Sequence, residues 1–519
     1  MRIALWLVAA LWSGTAVAAE VTADPSTLNQ KLSTLQPGDT LRLAAGTYQH
    51  FTVANLNGSE AAWIAITGPE SGAPAIVEAN DCCNTVEIDH SSYVAIRNLT
   101  IDGKDNGGSF GVSAKGLANN LVHHVRVERN TFTHHAGGQQ QVAISTKTTT
   151  WGWEIRENRI LDAGTGLYLG NSDGTQPFIR GVIERNLVQD PVGYCLQVKY
   201  QKPWPALAGL PTGDGTTVIR HNVFIKNDAA SPDGDRPNLL VGGFPDSGPG
   251  ANDRYEIYGN LFFHNPRESL LQASGRVSIH DNLFVDAAAS AVLLQNHDLP
   301  LKQAHVYNNT IYSAATGISF ASAAAQGSAA VGNVVFAATP IGGTPADSRD
   351  NVTGTAGQAA EFLVSPTLVL GTLDLYPLSG KCTGTALDLT AFAGDADLDR
   401  DFNGTSKGAQ TWRGAYAGDG TNPGWKVAAD LKPESAVPVT PPDAGAVDAA
   451  ARPSADSGSV ALPDAAATTS GDAGAGARQD GGASPGVTDG GCGCATAGAP
   501  LGLVGLAAGL LGALKRRKA

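Results

Sequence analysis

The sequence predicts an all-β solenoid built from stacked parallel strands, and two observations support this prediction. First, one pattern recurs along the middle of the chain: an apolar residue, two variable positions, asparagine, one variable position and another apolar residue. Second, a short alternating segment follows most copies of the pattern, as in VAISTK (142–147) and LQVKYQ (196–201). A single short strand cannot bury its own apolar face, whereas repeated rungs stacked in parallel bury a continuous core.

The asparagine of the repeat has a physical reason. A tight corner between strands places a residue in the left-handed region, which asparagine tolerates better than most residues. Stacked asparagines can also exchange hydrogen bonds along the solenoid axis. A leucine-rich repeat and a propeller were the alternatives, but neither places one asparagine between apolar residues at this period. The repeat asparagines are Asn130, Asn158, Asn186, Asn222, Asn260, Asn282, Asn309 and Asn333.

These rungs resemble the right-handed parallel β-helix proteins of the pectate-lyase-like superfamily. Segments 37–48, 63–67 and 93–103 look like the N-terminal cap and first rungs of that family, and 399–418 looks like its closing segment. The resemblance implies a β-helix domain over residues 20–430. It does not decide the chemistry, because this fold carries lyases, hydrolases, epimerases and adhesins.

Both ends of the chain carry segments outside this domain. Residues 1–19 have one arginine, an apolar run and an A-V-A site, which predicts a secretory signal peptide rather than a short membrane span. Residues 491–519 contain Cys492 in a GCGC motif, a long apolar stretch and a basic end. This arrangement resembles the MYXO-CTERM sorting signal of myxobacterial surface proteins, with a plain tail anchor as the alternative. We therefore expect an exported protein held at the cell surface or outer membrane through Cys492.

Residues 431–490 are predicted to form a disordered stalk. From residue 433 to 490 they hold no aromatic residue, and eight acidic residues against two basic ones give a charge of −6. This accounts for part of the net charge of −13, and the acidic remainder argues against nucleic acid as a partner. Export permits disulfides among Cys82, Cys83, Cys195 and Cys382, in pairings that the sequence leaves open.

Lys199 is the main candidate for chemistry. Leu196 and Val198 alternate with Gln197 and Lys199, which predicts a strand with the lysine on its outer face. Aligning the inward apolar residues of successive rungs gives Lys199 mostly small neighbours and predicts a groove with one functional cation. The predicted column contains Ser145, Gly170, Lys199, Gly242 or Gly243, Ala273 and Gln295.

Three insertions border this lysine, at 202–215, 228–237 and 243–254. Loops on a rigid scaffold are where binding residues concentrate. Aromatic side chains there can stack on sugars, and arginines can hold carboxylates with two parallel hydrogen bonds. The predicted substrate-binding residues are Gln197, Tyr200, Trp204, Arg220, Phe244 and Gln295, and the arginines predicted to assist Lys199 are Arg236 and Arg254.

These residues suggest a uronate polysaccharide lyase, in which a neutral lysine removes the proton beside the sugar carboxylate and a cation stabilises the resulting charge. VKYQ (198–201) resembles the lysine segment of polysaccharide lyase family 6, which implies Lys199 as the base. The sequence departs from that family at two positions. Leu240 stands at the expected arginine, and Tyr194 stands near the position of an acidic Ca²⁺ ligand. Ca²⁺ is thus a possible cofactor only because the family resemblance implies it, and the sequence assigns no metal ligand.

Other functions remain open. The expected partner is an acidic polysaccharide or a surface glycan, which a non-catalytic adhesin would also bind. A glycoside hydrolase could use two of Asp233, Asp235, Asp246 and Asp253. Neighbouring residues of a strand point to opposite faces, so the pair His123–His124 is not expected to bind a metal together.

Overall fold

The computed structural model describes residues 18–80, 83–115 and 120–434, and its strands stack in three long parallel sheets. Most rungs contribute one strand to each sheet, which confirms the predicted parallel β-helix. The alternating apolar residues point inward and form the core along the axis. Most of the predicted signal peptide, Cys82, the stalk beyond residue 434 and the segment at Cys492 lie outside the described residues.

The strand bounds follow the rungs in order. The first sheet contains Glu20–Ala23, Thr40–Leu43, Ile64–Thr67, Ser92–Arg97, Leu121–Glu128, Thr149–Trp151, Glu154–Arg156, Phe178–Ile179, Val182–Glu184, Thr216–Arg220, Arg254–Tyr258, Gly275–His280, Leu301–Tyr307, Ser328–Val331 and Asp347–Arg349. The second sheet contains Phe51–Ala54, Cys83–Asp89, Ser109–Ala114, Val142–Thr146, Thr165–Leu169, Leu196–Val198, Leu239–Val241, Leu271–Ala273, Ser290–Leu294, Thr316–Phe320 and Thr339–Gly342.

The third sheet and the ends complete the domain. The third sheet contains Gly46–Gln49, Ala75–Glu78, Thr100–Asp102, Thr131–Thr133, Arg159–Leu161, Leu187–Gln189, Val223–Ile225, Leu261–Asn265, Leu283–Ala287, Thr310–Tyr312, Val334–Phe336 and Val352–Gly354. A short helix, Leu28–Leu32, lies near the N-terminal end. At the other end are the 3-10 helices Ala356–Glu361 and Thr390–Phe392 and an antiparallel pair, Leu363–Ser365 with Asp374–Pro377. None of the described helices is long and apolar enough to cross a membrane.

The repeat asparagines form a continuous buried ladder at the corner between the first and third sheets. The Asn222 amide donates to Asn260 Oδ1 at 3.0 Å and to the Ile183 carbonyl at 2.8 Å, and its own Oδ1 accepts from Asn186 Nδ2 at 2.9 Å. The same pattern runs from Asn130 to Asn333 and continues to Asn351, which is not among the predicted repeat asparagines. The predicted stacking is therefore confirmed.

The prediction that the asparagine itself adopts the left-handed conformation is wrong. The left-handed residue at each corner is the one before the asparagine, for example Arg185 with φ 51° and His221 with φ 57°. The asparagine has a side-chain role instead: its Oδ1 accepts from the asparagine of the previous rung, and its Nδ2 donates to the asparagine of the next rung and to a backbone carbonyl of the previous one. Asn222, for instance, also donates its backbone N–H to Asn260 Oδ1 at 2.8 Å.

The closing segment binds the last rungs through buried polar contacts. Lys407 Nζ lies 2.7 Å from Asp281 Oδ2, and both side chains are almost fully buried. The Phe392 ring stacks on Tyr307 with centroids 4.3 Å apart. Beyond this segment the chain returns along the flank of the rungs, where Asp430 pairs with Arg159 at 2.5 Å. The end of the domain is thus fastened to rungs distant in sequence.

Lys432 is buried in this returning segment and gives a pH-dependent prediction. Its Nζ donates to the Gly259 carbonyl at 2.8 Å and lies 3.5 Å from the centroid of the Phe402 ring. Burial lowers its pKa to about 7, against about 10.4 in an unfolded chain. Between these two values the unfolded chain binds a proton that the folded chain lacks. The free energy of unfolding should therefore rise from about pH 7 toward pH 10 and be independent of this group below pH 7.

The Lys432→Met variant should lose this rise in thermal melts recorded from pH 6 to 9. The exposed Lys426, changed to Met in the same way, is the control and should keep it. Equal pH dependence in the wild type and in Lys432→Met would refute the assignment.

Two of the cysteines considered for disulfides are buried thiols. Cys195 and Cys382 form no disulfide, and burial raises the pKa of each thiol to about 12. The four cysteines considered for disulfides therefore do not form two bridges. High thiol pKa values also make both groups poor nucleophiles.

Candidate functional site

Lys199 directly follows the strand Leu196–Val198 of the second sheet. Only 13% of its side chain is accessible, which is less than the alternating sequence pattern suggested. The strand register places Gly170 beside it in one neighbouring rung and Gly242 in the other. Further along, the same column contains Lys147, Ser274 and Gln295. Gly170, Gly242 and Gln295 thus lie as predicted, whereas Ser145 and Ala273 do not. Ser145 belongs to the column of Tyr168 and Gln197, and Ala273 to the inward column of Val198 and Val241.

The two positions beside Lys199 are tightly packed and suit only glycine. A Cβ at Gly242 would lie 2.2 Å from the Tyr200 backbone nitrogen, so no side chain fits there. Gly170 has φ +92°, and a Cβ there would approach Lys199 Cβ to 3.3 Å. Side chains at either position would crowd the lysine stem. The small-residue floor predicted beneath Lys199 is therefore present in its two neighbouring rungs.

A turn after the strand Ser290–Leu294 brings two further titratable residues to the lysine. Asp298 Oδ2 lies 3.8 Å from Lys199 Nζ and 3.5 Å from His297 Nε2. The turn is closed by paired backbone hydrogen bonds between His297 and Leu299, with Asp298 at φ 57° between them. Neither residue was predicted for the site from the sequence.

Arg236 reaches the same site from the insertion 228–237. Its backbone carbonyl accepts hydrogen bonds from Lys226 Nζ and Asn265 Nδ2, both at 2.9 Å, which fixes the end of the loop. Its guanidinium lies 5.8 Å from the centroid of the Tyr194 ring. The guanidinium donates to the Asp235 and Asp233 carbonyls of its own loop, both at 3.0 Å, and its charge lowers the pKa of both Lys199 and His297. Of the two arginines predicted to assist Lys199, Arg236 is therefore the one whose charge reaches it.

Two tyrosines complete the polar lining of the site. Tyr168 pairs with Gln197 across adjacent strands, and Lys147 Nζ lies 4.0 Å from the centroid of its ring. Burial raises the pKa of Tyr168 well above its usual value and raises that of Tyr194 to about 12. Both phenols are therefore protonated hydrogen-bond donors at neutral pH. The sequence had marked Tyr194 only as a departure from a family pattern.

Lys199 has an unusual environment for a lysine. Burial lowers its pKa, the carboxylate of Asp298 opposes this effect, and the Arg236 guanidinium adds to the lowering. The net pKa is below the ordinary value, so a larger fraction of Lys199 is neutral near pH 8 than for an exposed lysine. A neutral amine can accept a proton, which a fully charged lysine cannot do.

Three residues predicted for this site lie elsewhere. Arg254 begins a strand of the first sheet and pairs with Asp395 at 2.5 Å and with Glu256. Arg220 also lies in the first sheet, buried between Glu184 at 2.7 Å and the Tyr258 hydroxyl at 3.0 Å. Phe244 is fully buried and stacks on Tyr255. These predictions are wrong because closeness to Lys199 along the chain does not show which part of the β-helix a side chain joins.

The remaining predicted contacts lie around the second sheet. Tyr200 is half-buried, with its ring centroid 5.2 Å from Lys199 Nζ, and Gln295 is half-buried in the lysine column. Gln197 is nearly covered, at 3% exposure. Trp204 donates its indole N–H to Gln201 Oε1 at 2.8 Å and packs closely on Gly250, which limits the ring face open to a ligand.

The residues near Lys199 do not fit a Ca²⁺ site. Ca²⁺ takes six to eight oxygen ligands, generally with several carboxylates. Tyr194 occupies the position where the family resemblance places an acid, and Asp298 is already paired with Lys199 and His297. Within the described ranges, no group of three or more His, Cys, Asp or Glu residues is arranged to hold a metal ion. No step of the chemistry below uses a metal.

Comparison with known proteins gives one family match and several similar folds. Residues 142–335 match the family model described as "Right handed beta helix region". No curated protein matches the sequence significantly.

Three solved structures represent the similar folds. An alginate lyase from Paenibacillus sp. str. FPU-7 is 15% identical, with 65% of this chain and 96% of that chain covered and a TM-score of 0.33. The PL6 family alginate lyase AlyGC is 13% identical, with 82% and 60% covered and a TM-score of 0.40. The pectate lyase Pel9A is 12% identical, with 80% and 97% covered and a TM-score of 0.41.

The family match covers the rungs that carry Lys199, Arg236 and the turn at Asp298. It agrees with the three parallel sheets and the asparagine ladder of the structure. The chain is therefore a right-handed parallel β-helix protein.

Proposed function

We propose that this protein cleaves an acidic, uronate-containing polysaccharide by β-elimination at Lys199. The observation that carries the proposal is a half-buried lysine with a lowered pKa, set between two glycines and beside Arg236, Tyr168 and Tyr194. This arrangement offers a proton acceptor, a carboxylate-binding cation and protonated phenols on one side of the second sheet. The predicted signal peptide and sorting segment support an activity outside the cell.

Each step of the reaction has a residue to perform it. Arg236 binds the uronate carboxylate and stabilises the charge that develops when the neighbouring C5–H bond breaks. The neutral amine of Lys199 takes that proton, and the electron pair forms the C4=C5 double bond as the C4–O bond breaks. The leaving oxygen takes the phenolic proton of Tyr168, and the resulting phenolate lies beside the Lys147 cation.

The first experiment incubates the purified chain with alginate, pectate and glycosaminoglycans and follows the ultraviolet absorbance of the unsaturated product. We expect absorbance to grow with at least one of these polymers. Binding to a polyuronate without any absorbance change would contradict the lyase proposal and support a non-catalytic glycan-binding protein.

Asp298 gives a directional test of the base. Its carboxylate raises the pKa of Lys199, so Asp298→Asn should lower that pKa further. Because the base acts when neutral, the acidic limb of the kcat/KM–pH profile should move to lower pH in this variant. An acidic limb that stays in place, or moves to higher pH, would exclude Lys199 as the titrating base.

The ion pair between Asp298 and Lys199 also supports the second candidate, a glycan-binding protein, because it favours a charged lysine that could hold a sugar carboxylate. Glycoside hydrolysis finds less support, because two of the candidate loop carboxylates are engaged elsewhere. Asp253 pairs with Arg180 at 3.1 Å, and Asp246 pairs with Lys302 at 3.3 Å.

A further inference from the structure

Two histidines on the first sheet, away from Lys199, lie on the same face of their strand. His123 and His124 are consecutive residues of Leu121–Glu128, and a regular strand would direct them to opposite faces. Here His123 pairs with Ser92 and Val125 pairs with Val94 of the neighbouring strand. The residues between these pairs have left-handed backbones, with φ 50° at His124 and 53° at Tyr93. This irregularity turns both imidazoles to one side, so the expectation that the pair cannot act together is wrong.

The two rings are close and held by aromatic neighbours. His123 Nδ1 lies 2.8 Å from His124 Nδ1, so one ring donates a hydrogen bond to the other. The His124 ring stacks on Tyr93 with centroids 4.4 Å apart, and the His123 ring stacks on Trp151 at 5.6 Å. Both histidines are half-buried, and solvent reaches them. Arg126, whose charge acts on His124, is paired with Glu154 at 3.1 Å.

The two nitrogens lie close enough to share one metal ion once the proton of their hydrogen bond has moved. Imidazole nitrogens bind Cu²⁺ more strongly than the other divalent first-row ions, Zn²⁺ included. The ligand chemistry of the pair therefore favours cupric ion.

We propose that His123 and His124 form a surface site for one Cu²⁺ ion, with water completing the coordination. The ring that carries its proton on Nδ1 moves it to Nε2, and both Nδ1 lone pairs then bind the metal. The stacked Tyr93 and Trp151 rings keep the imidazoles in place before the ion arrives. The site is separate from the chemistry proposed at Lys199.

Electron paramagnetic resonance of the purified chain, titrated with copper(II) chloride, tests this site. We expect a bound component with coupling to two imidazole nitrogens, together with quenching of the Trp151 fluorescence. His123→Gln and His124→Asn should each lose the two-nitrogen component. Asparagine tolerates the left-handed backbone at residue 124, so the second variant should fold, which its thermal melt will verify.

Two matched variants separate this site from other histidines and tryptophans. His134→Gln removes an exposed histidine paired with Asp102 and should keep the two-nitrogen component. Trp151→Phe should keep that component and lose part of the quenching. Retention of the component in His123→Gln or His124→Asn, its loss in His134→Gln, or unchanged quenching in Trp151→Phe would overturn the proposal.

Discussion

Replacing Lys199 by alanine is expected to lower kcat/KM on a susceptible uronate polymer by about 10²–10⁴-fold, the usual contribution of a positioned general base. The physical reason is the loss of the amine whose lowered pKa lets it accept a proton. Initial rates from the ultraviolet absorbance of the unsaturated product provide the measurement. Tyr168 and Arg236 are unchanged in this variant, so carboxylate binding should persist.

Two further variants show whether Lys199 acts as a base or only as a cation. Lys199→Arg keeps the positive charge but cannot be neutral at working pH, and it should be as inactive as the alanine variant. Lys202→Ala removes an exposed lysine three residues away and should keep the wild-type rate. Substantial activity in Lys199→Arg would mean that Lys199 binds substrate rather than removing its proton.

Replacing Asn222 by alanine is expected to reduce the free energy of unfolding by about 3–5 kcal/mol, since several buried groups lose their partners at about 1–3 kcal/mol each. The Asn186 amide loses its acceptor, and the carbonyl of Ile183 loses a donor. The Asn260 oxygen also loses one of its donors. Urea denaturation of the wild type and the variant, followed by circular dichroism, measures the difference.

Aspartate at the same position separates hydrogen bonding from packing. Asn222→Asp keeps the shape and the acceptor but loses the amide donors and introduces a buried charge, so it should be at least as destabilising as alanine. The exposed Asn227, changed to alanine, should alter the unfolding free energy by less than about 1 kcal/mol. A mild effect of Asn222→Asp would show that the ladder matters for its shape rather than for its hydrogen bonds.

The fold could be predicted because its information is local and repeated. Each rung carries its own inward pair, such as Leu196 and Val198, and its own ladder asparagine, so one error in alignment does not alter the architecture. The conformation of single residues was harder to predict. The left-handed residues before the asparagines and at His124 follow from local backbone geometry, which the repeat pattern does not encode.

The site could be predicted only in part, because it combines residues from separate rungs. Lys199 and its glycine neighbours were found because they lie in adjacent, well-aligned strands. The insertions hid where each arginine would lie: the charge of Arg236 reaches Lys199, whereas Arg254 pairs with Asp395 in the first sheet. His297 and Asp298 come from a turn that folds back over Gly243, and no pattern in the sequence predicts that contact.

Proton nuclear magnetic resonance of the oligosaccharides released from a susceptible polyuronate tests the central claim most directly. The wild-type protein should yield chains with an olefinic proton at C4, each lighter by one water than a hydrolysis product in mass spectrometry. The Lys199→Ala variant should yield neither signal. Saturated ends of hydrolysis mass from the wild type, or olefinic ends from Lys199→Ala at the wild-type rate, would contradict elimination by Lys199.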